Sequence, residues 1–199
     1  MSRYYSFIVV FFLLVGCSTK EVVFTETTKK VFEEEDNLIL QALDYQQRGD
    51  YANAKRVYHV LYDQSQKKDY LTEEAGLAFV LQTQDAAALI DEGLRKYPEE
   101  KNFTRLHVGQ LVKEKRYEEA EKEILSLIDT DKTVQHLSIA ANLYLQMKNY
   151  DVALKYFESA YKLEPSEELL MNMVEVLYRF LDRKDDAMAY LETFASMEG

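Results

Sequence analysis

The stretch LYLQMKNYDVALKYFESAYKLEP, residues 143–165, decides the fold. An apolar segment is followed by a polar turn, and after the turn Ala153 precedes the aromatic Phe157 by four residues. Apolar side chains spaced three and four residues apart predict amphipathic helices. Pro165 marks an end, because proline lacks the N–H that the helix needs. The stretch therefore predicts two helices joined by a short turn.

This unit recurs along the chain. The stretch LDYQQRGDYANAKRVYHVLY, residues 43–62, has the same order of apolar helix, polar turn, aromatic and alanine. Alignment on the alanine gives a series at spacings of 32, 34, 33 and 34 residues: Ala54, Ala86, Ala120, Ala153 and Ala187. A period of this length is typical of repeat proteins, in which a hairpin buries its apolar face only against its neighbours.

A helix-turn-helix unit of about 34 residues resembles the tetratricopeptide repeat. The fourth unit carries the fullest match, at Ala140, Ala141, Tyr144, Tyr150, Ala153, Phe157, Ala160 and Pro165. The resemblance implies an all-α fold, a right-handed superhelical solenoid of about five hairpins over residues 35–199. Its units are expected at about 35–66, 67–100, 101–133, 134–167 and 168–199. The second unit departs by a short turn, and the fifth lacks the turn aromatic.

The ends of the helices have local signals. Asp50 and Asn149 stand in two of the turns, where a carboxylate or amide oxygen can cap the following helix. Pro98 and Pro165 are expected to end the second helices of units two and four.

The N-terminus reads as an address. Residues 1–17, MSRYYSFIVVFFLLVGC, place Arg3 before an unbroken apolar run over residues 7–15. A membrane-spanning helix needs roughly 20 apolar residues, so this run fits the apolar core of a signal peptide better. We therefore expect residues 1–16 to be a signal peptide.

Leu14-Val15-Gly16-Cys17 resembles the lipobox of bacterial lipoproteins. The resemblance implies cleavage before Cys17, the only cysteine, and lipid attachment to its thiol and new amine. Two or three acyl chains give a stable membrane anchor, whereas one gives marginal binding. Ser18 stands where an inner-membrane retention signal has Asp, which points to the outer membrane, facing the periplasm. An ordinary secretory signal with a coincidental cysteine, or an uncleaved anchor, remains open.

Residues 17–34 follow as the lipidated cysteine and a polar tether. Apolar residues within it, at 22–24 or 31–32, could instead pack on the first helix as a cap. The formal net charge of the chain is -11, and it is -12 for residues 17–199, because residues 1–16 hold one basic and no acidic residue. Such a body is repelled by phosphate backbones, which excludes nucleic acid as a partner class. The charge otherwise serves solubility.

Catalytic and metal-binding patterns are absent from the sequence. The histidines His59, His107 and His136 do not pair at helical spacing, and no phosphate-binding loop, nucleophile elbow or zinc-protease motif occurs. We therefore expect structural histidines, no cofactor, no metal and no enzymatic activity.

In the family resembled here, the first helices line a concave groove that binds peptides. Carrying over its groove-facing positions marks Arg105, Lys113, Asn142, Asn172 and Arg179 as candidates for binding a partner. Basic and amide groups can hold carboxylates and backbone amides. The set partly resembles the carboxylate clamp of some members, and ordinary solvation of an exposed face is the alternative.

Asn102-Phe103-Thr104, with Glu100 before it, resembles the acceptor of bacterial N-glycosylation. A chance match is the alternative reading of so short a motif.

The last helix carries an inward stripe of Ala187, Tyr190, Leu191 and Phe194. Its other side, with Met188, Ala189 and Ala195, is either a self-capping surface or a docking edge. The leading hypothesis is a non-catalytic, envelope-tethered scaffold for a protein or peptide partner, resembling pilotins or outer-membrane assembly lipoproteins. A self-associating structural component and a regulator of a cell-wall enzyme are the alternatives.

Overall fold

The computed structural model describes the backbone of residues 26–197 and the side chains of residues 34–196. Within this part of the chain all regular structure is helical, in the order α1 Glu26–Gln47, α2 Tyr51–Ser65, α3 Lys68–Leu81, α4 Ala86–Lys96, α5 Lys101–Lys113, α6 Tyr117–Thr130, α7 Val134–Gln146, α8 Tyr150–Leu163, α9 Glu167–Glu175 and α10 Lys184–Met197. A π-helical turn, Val176–Phe180, continues α9. The ten helices form five hairpins, which confirms the predicted all-α repeat architecture.

The first helix is longer than the predicted repeat. Helix α1 begins at Glu26, so residues 26–34, assigned above to the tether, lie in this helix. The predicted signal peptide and Cys17 lie outside the described residues.

Three apolar clusters run along the stack, and each joins neighbouring hairpins. The last of them brings Leu137 and Phe157 of the fourth hairpin against Leu169 and Met173 of α9 and Ala187 of α10. Such contacts between successive hairpins are the main source of stability in repeat proteins.

Four of the five aligned alanines are buried, as their role in close helix packing requires: Ala54, Ala120, Ala153 and Ala187. Each is the fourth residue of its helix. Ala86 is half-buried and is the first residue of α4, because the short turn of the second hairpin delays the start of that helix.

The predicted helix ends are mostly confirmed. The Asp50 carboxylate accepts a hydrogen bond from the N–H of Asn53 at 3.3 Å, and α4 and α8 end two residues before Pro98 and Pro165. The prediction was wrong for Asn149, whose side chain makes no capping hydrogen bond. The main-chain oxygen of Asn149 instead accepts from the N–H of Ala153, which closes the first turn.

The π-helical turn accommodates one extra residue in the fifth hairpin. The capping residues Thr133 and Ser166 are 33 residues apart, whereas the left-handed turn residues Lys148 and Asp182 are 34 apart. A π turn absorbs a single inserted residue inside an α-helix. The apolar faces on both sides of the insertion therefore stay in register with the core, and Leu170 and Leu177 are both buried.

Candidate functional site

A groove of about 750 Å³ runs across the first helices of four hairpins. Its residues come from α1, α3, α5 and α7: Gln46, Thr72, Glu73, Gly76, Leu77, Phe79, Val80, Asn102, Arg105, Leu106, Val108, Gly109, Val112, Lys113, Gln135, Ile139, Asn142, Leu143 and Gln146. No second helix contributes to this lining. The volume is that of a typical ligand pocket.

Two glycines make room in the groove. A Cβ at Gly76 would meet nothing within 4 Å, so this position opens directly onto the groove. A Cβ at Gly109 would lie 2.7 Å from the ring of Phe79, so the ring rests on the backbone of α5. The aromatic wall of the groove thus depends on a missing side chain.

Lys113 stands over this aromatic wall. Its Nζ lies 3.7 Å from the centroid of the Phe79 ring, a cation–π contact, and donates a hydrogen bond to the main-chain oxygen of Phe79 at 3.2 Å. An ammonium group has three donors. Lys113 therefore keeps hydrogen-bonding capacity for a ligand while its position is held.

Arg105 is held by two neighbours. Its guanidinium donates to Nε2 of His136 at 3.1 Å and to the amide oxygen of Asn102. His136 is buried, and its Nδ1 lies 2.6 Å from the main-chain oxygen of Asp131, so Nδ1 carries the proton and Nε2 accepts from Arg105. Two of five donors are used, and the rest can meet an anionic group in a fixed orientation.

Asn102, the predicted glycosylation acceptor, lies in this same network. Its amide nitrogen donates to Oε1 of Glu100 at 2.8 Å, and Lys68, by its hydrogen bond to Glu100, lowers the pKa of that carboxyl group. Glycosylation at Asn102 therefore requires these hydrogen bonds to break, and the prediction stays untested.

The structure brings three of the five predicted binding residues together. Arg105, Lys113 and Asn142 all line the groove. Asn172 and Arg179 instead line a separate cavity of about 300 Å³ on α9 and its π turn, and Arg179 forms an ion pair with Glu175. The groove ends at α7 because, among the described helices, α3 packs on α5 and α5 on α7, whereas α9 packs on α8 and not on α7.

Sequence reasoning missed the apolar and amide lining of the groove. The signal was present in columns spaced by 33 residues on the first helices: Glu73, Leu106 and Ile139 in one, and Gly76, Gly109 and Asn142 in another. Gln46, Gln135 and Gln146 add amide groups around the apolar surface. Such a surface can pair with a peptide backbone while its apolar part holds side chains.

The remaining histidines make local contacts. Nδ1 of His59 lies 3.0 Å from Oε1 of Glu74, a buried carboxyl whose pKa burial raises. Nδ1 of His107 lies 2.9 Å from Oε2 of Glu123. Across the described residues, no three His, Cys, Asp or Glu side chains are grouped as a metal site. None of the helices described is both long and apolar enough to cross a membrane.

Comparison with known proteins identifies the repeat type. Residues 137–167, within the fourth and fifth hairpins, match the tetratricopeptide repeat model. No curated protein matches the chain.

Solved structures share the architecture at low sequence identity. PilF of Pseudomonas aeruginosa superposes with a TM-score of 0.66 at 24% identity, over 82% of this chain and 76% of that one. MamA of Desulfovibrio magneticus RS-1 gives a TM-score of 0.64 at 14% identity, over 82% and 94%. A tetratricopeptide protein of Parabacteroides merdae gives 0.65 at 18%, over 81% and 64%. The fold of this chain is therefore that of a tetratricopeptide-repeat solenoid.

Proposed function

We propose that this protein is a non-catalytic, lipid-anchored scaffold of the bacterial cell envelope that binds a segment of a partner protein in its groove. The observation that carries the proposal is the pair of pre-positioned cations, Arg105 and Lys113, beside an apolar and amide-lined surface. Glu73 is the only acidic residue of that lining, in a chain whose formal net charge is -11.

These features favour a ligand of definite chemistry. Apolar side chains of the ligand would pack on Phe79, Leu106 and Ile139, and a carboxylate would accept from Arg105 and Lys113. Because the guanidinium is already oriented by His136 and Asn102, less conformational entropy is lost on binding. An extended or helical segment with an acidic residue or a free C-terminal carboxylate fits best.

Photo-crosslinking in cells tests the groove. A photoreactive residue in place of Gln146, exposed in the groove, should capture a partner, whereas the same residue at Lys155, exposed on α8, should not. Equal capture at both positions would show that binding does not use the groove.

The two cations provide the quantitative test. With the captured partner's segment as a peptide, Arg105→Ala with Lys113→Ala should weaken binding by about tenfold to a hundredfold, since each removes a charge-assisted hydrogen bond. Arg179→Ala, an exposed arginine outside the groove, is the matched control and should bind normally. Unchanged affinity of the double variant, with its helical content and Tm preserved, would contradict the assignment.

The anchor rests on Leu14 to Cys17 and is tested separately. Cys17→Ser should abolish incorporation of a labelled fatty acid and leave a chain that retains the signal segment. Labelling that persists in Cys17→Ser would show that the lipid is attached elsewhere or that the signal was misread.

A further inference from the structure

The repeat gives each surface position of the fifth hairpin a counterpart in the fourth. Leu154 of α8 and Met188 of α10 are 34 residues apart, each the fifth residue of its helix. Leu154 is 3% exposed, in a cluster with Leu169 and Met173 of α9. Met188 is 53% exposed. The surface that accepts the next hairpin is therefore present at the end of the stack, and no described residue covers it.

We call this surface the terminal face, and it comprises Met171, Val174, Tyr178 and Met188. The first three line the cavity of about 300 Å³ on α9, and Met171 and Tyr178 are 50% and 55% exposed. Single exposed apolar side chains are ordinary, but a group of them around a cavity marks a binding surface.

The opposite edge of the stack has a different composition. Counterparts 99 residues apart connect α1 with α7, since Gly49 and Lys148 occupy the same left-handed turn position. The side chains by which α7 packs on the third hairpin are His136, Ala140, Leu143 and Met147. Their counterparts on α1 are all polar: Asn37, Gln41, Asp44 and Arg48.

This polar edge cannot extend the stack of a second copy. Asp44 and Arg48 form an ion pair at 2.9 Å, and covering them with the terminal face of another molecule would bury charged groups in an apolar contact. Head-to-tail association of identical chains is therefore unfavourable.

The charge around the terminal face indicates what does fit. Residues 167–196 hold seven carboxylates and three basic side chains. Each basic side chain is paired with a carboxylate: Arg179 with Glu175, Arg183 with Asp186, and Lys184 with Asp182. Two copies meeting tail to tail would bring two acidic rims together, which is repulsive.

We infer that the terminal face binds an amphipathic α-helix of a partner protein whose apolar stripe is flanked by basic residues. Such a helix takes the place that α9 occupies on the fourth hairpin, where Leu169, Leu170 and Met173 face the core. Its basic flanks meet the unneutralised carboxylates of the fifth hairpin. This site is separate from the groove and does not depend on the function proposed for it.

The test uses α9 itself as the template for a probe. A labelled peptide of residues 166–181 in which Glu167, Glu168 and Glu175 are replaced by lysine is titrated with the full chain in zwitterionic nanodiscs. It should bind about tenfold more tightly than the unchanged acidic peptide, since several rim charges each contribute modestly. The difference should shrink as salt is added.

Matched variants locate the binding. Met188→Glu should abolish it, whereas Leu163→Glu, an equally exposed apolar position on α8, should leave it intact. Arg105→Ala with Lys113→Ala should also leave it intact, which separates this site from the groove. Absence of peptide binding, equal binding of both peptides, or retention in Met188→Glu would overturn the inference. A dimer in light scattering that Met188→Glu dissolves would assign the face to a second copy and overturn it equally.

Discussion

The fourth and fifth hairpins carry the same repeat, yet their equivalent side chains have different surroundings. Leu154 is covered by α9, whereas its counterpart Met188 is half exposed. Tyr144 stacks on Tyr156 at 5.4 Å between ring centroids and donates its hydroxyl to Glu121, whereas its counterpart Tyr178 is exposed. In a repeat array, burial is therefore a property of the neighbouring hairpin and not of the residue.

The largest expected contrast is between Leu154→Ala and Met188→Ala. Leu154→Ala should lower the free energy of unfolding by about 2–5 kcal/mol, because it leaves a cavity in a packed interface. Met188→Ala should change it by less than about 0.5 kcal/mol, as expected of an exposed site. Urea unfolding followed by circular dichroism measures both. Similar losses in the two variants would mean that the fifth hairpin is covered in solution.

The paired tyrosines test hydrogen bonding at equivalent positions. Tyr144→Phe should cost about 1–2 kcal/mol, because the Glu121 carboxylate loses a donor in a part-buried site. Tyr178→Phe, at an exposed position, should be nearly neutral. The same unfolding measurement applies, and an equal cost at both positions would contradict the burial contrast.

Tyr144 also makes stability depend on alkaline pH. Burial and, after it, the hydrogen bond to Glu121 raise the pKa of Tyr144 above its ordinary value of 10.0. Above that ordinary value, the unfolded chain loses a proton that the folded chain keeps, so stability falls as pH rises. Tyr144→Phe should make this fall shallower in urea unfolding between about pH 8 and about pH 11. An unchanged slope would show that other groups govern the alkaline limit.

The smallest expected effects should be equal in the two hairpins. Thr133 accepts from the N–H of His136 at 3.2 Å, and Ser166 accepts from the N–H of Leu169 at 3.3 Å. Thr133→Ala and Ser166→Ala should each cost about 1 kcal/mol, since each removes one helix cap. Unequal costs would show that the two hairpins are not equivalent even before the π turn.

Much of the fold could be predicted from local patterns. The alanine series and the two prolines located five hairpins, because close helix packing and helix ends have short-range sequence signals. The π turn was not predicted, since a one-residue insertion leaves the apolar residues on both sides of it in place. Asn149 was expected to cap α8 by its side chain, but a favourable residue type does not determine its side-chain geometry.

The candidate site divides in the same way. Arg105, Lys113 and Asn142 were found from the repeat, because their helices pack in succession. Asn172 and Arg179 were placed in the same groove by that logic, but α9 packs on α8 and not on α7, and this depends on contacts between hairpins. The wall formed by Phe79 over Gly109 is also tertiary, since the two residues lie in different hairpins.

The sequence by itself determined the repeat, the polar first edge and the candidate lipid anchor at Cys17, because each is expressed in residue type and spacing. Only the tertiary structure decided which cations share a groove and which apolar side chains remain uncovered. The physical reason is that packing between hairpins depends on side-chain volumes and helix positions summed over distant residues. The terminal face is apolar in sequence, and it is open because no described helix lies on it.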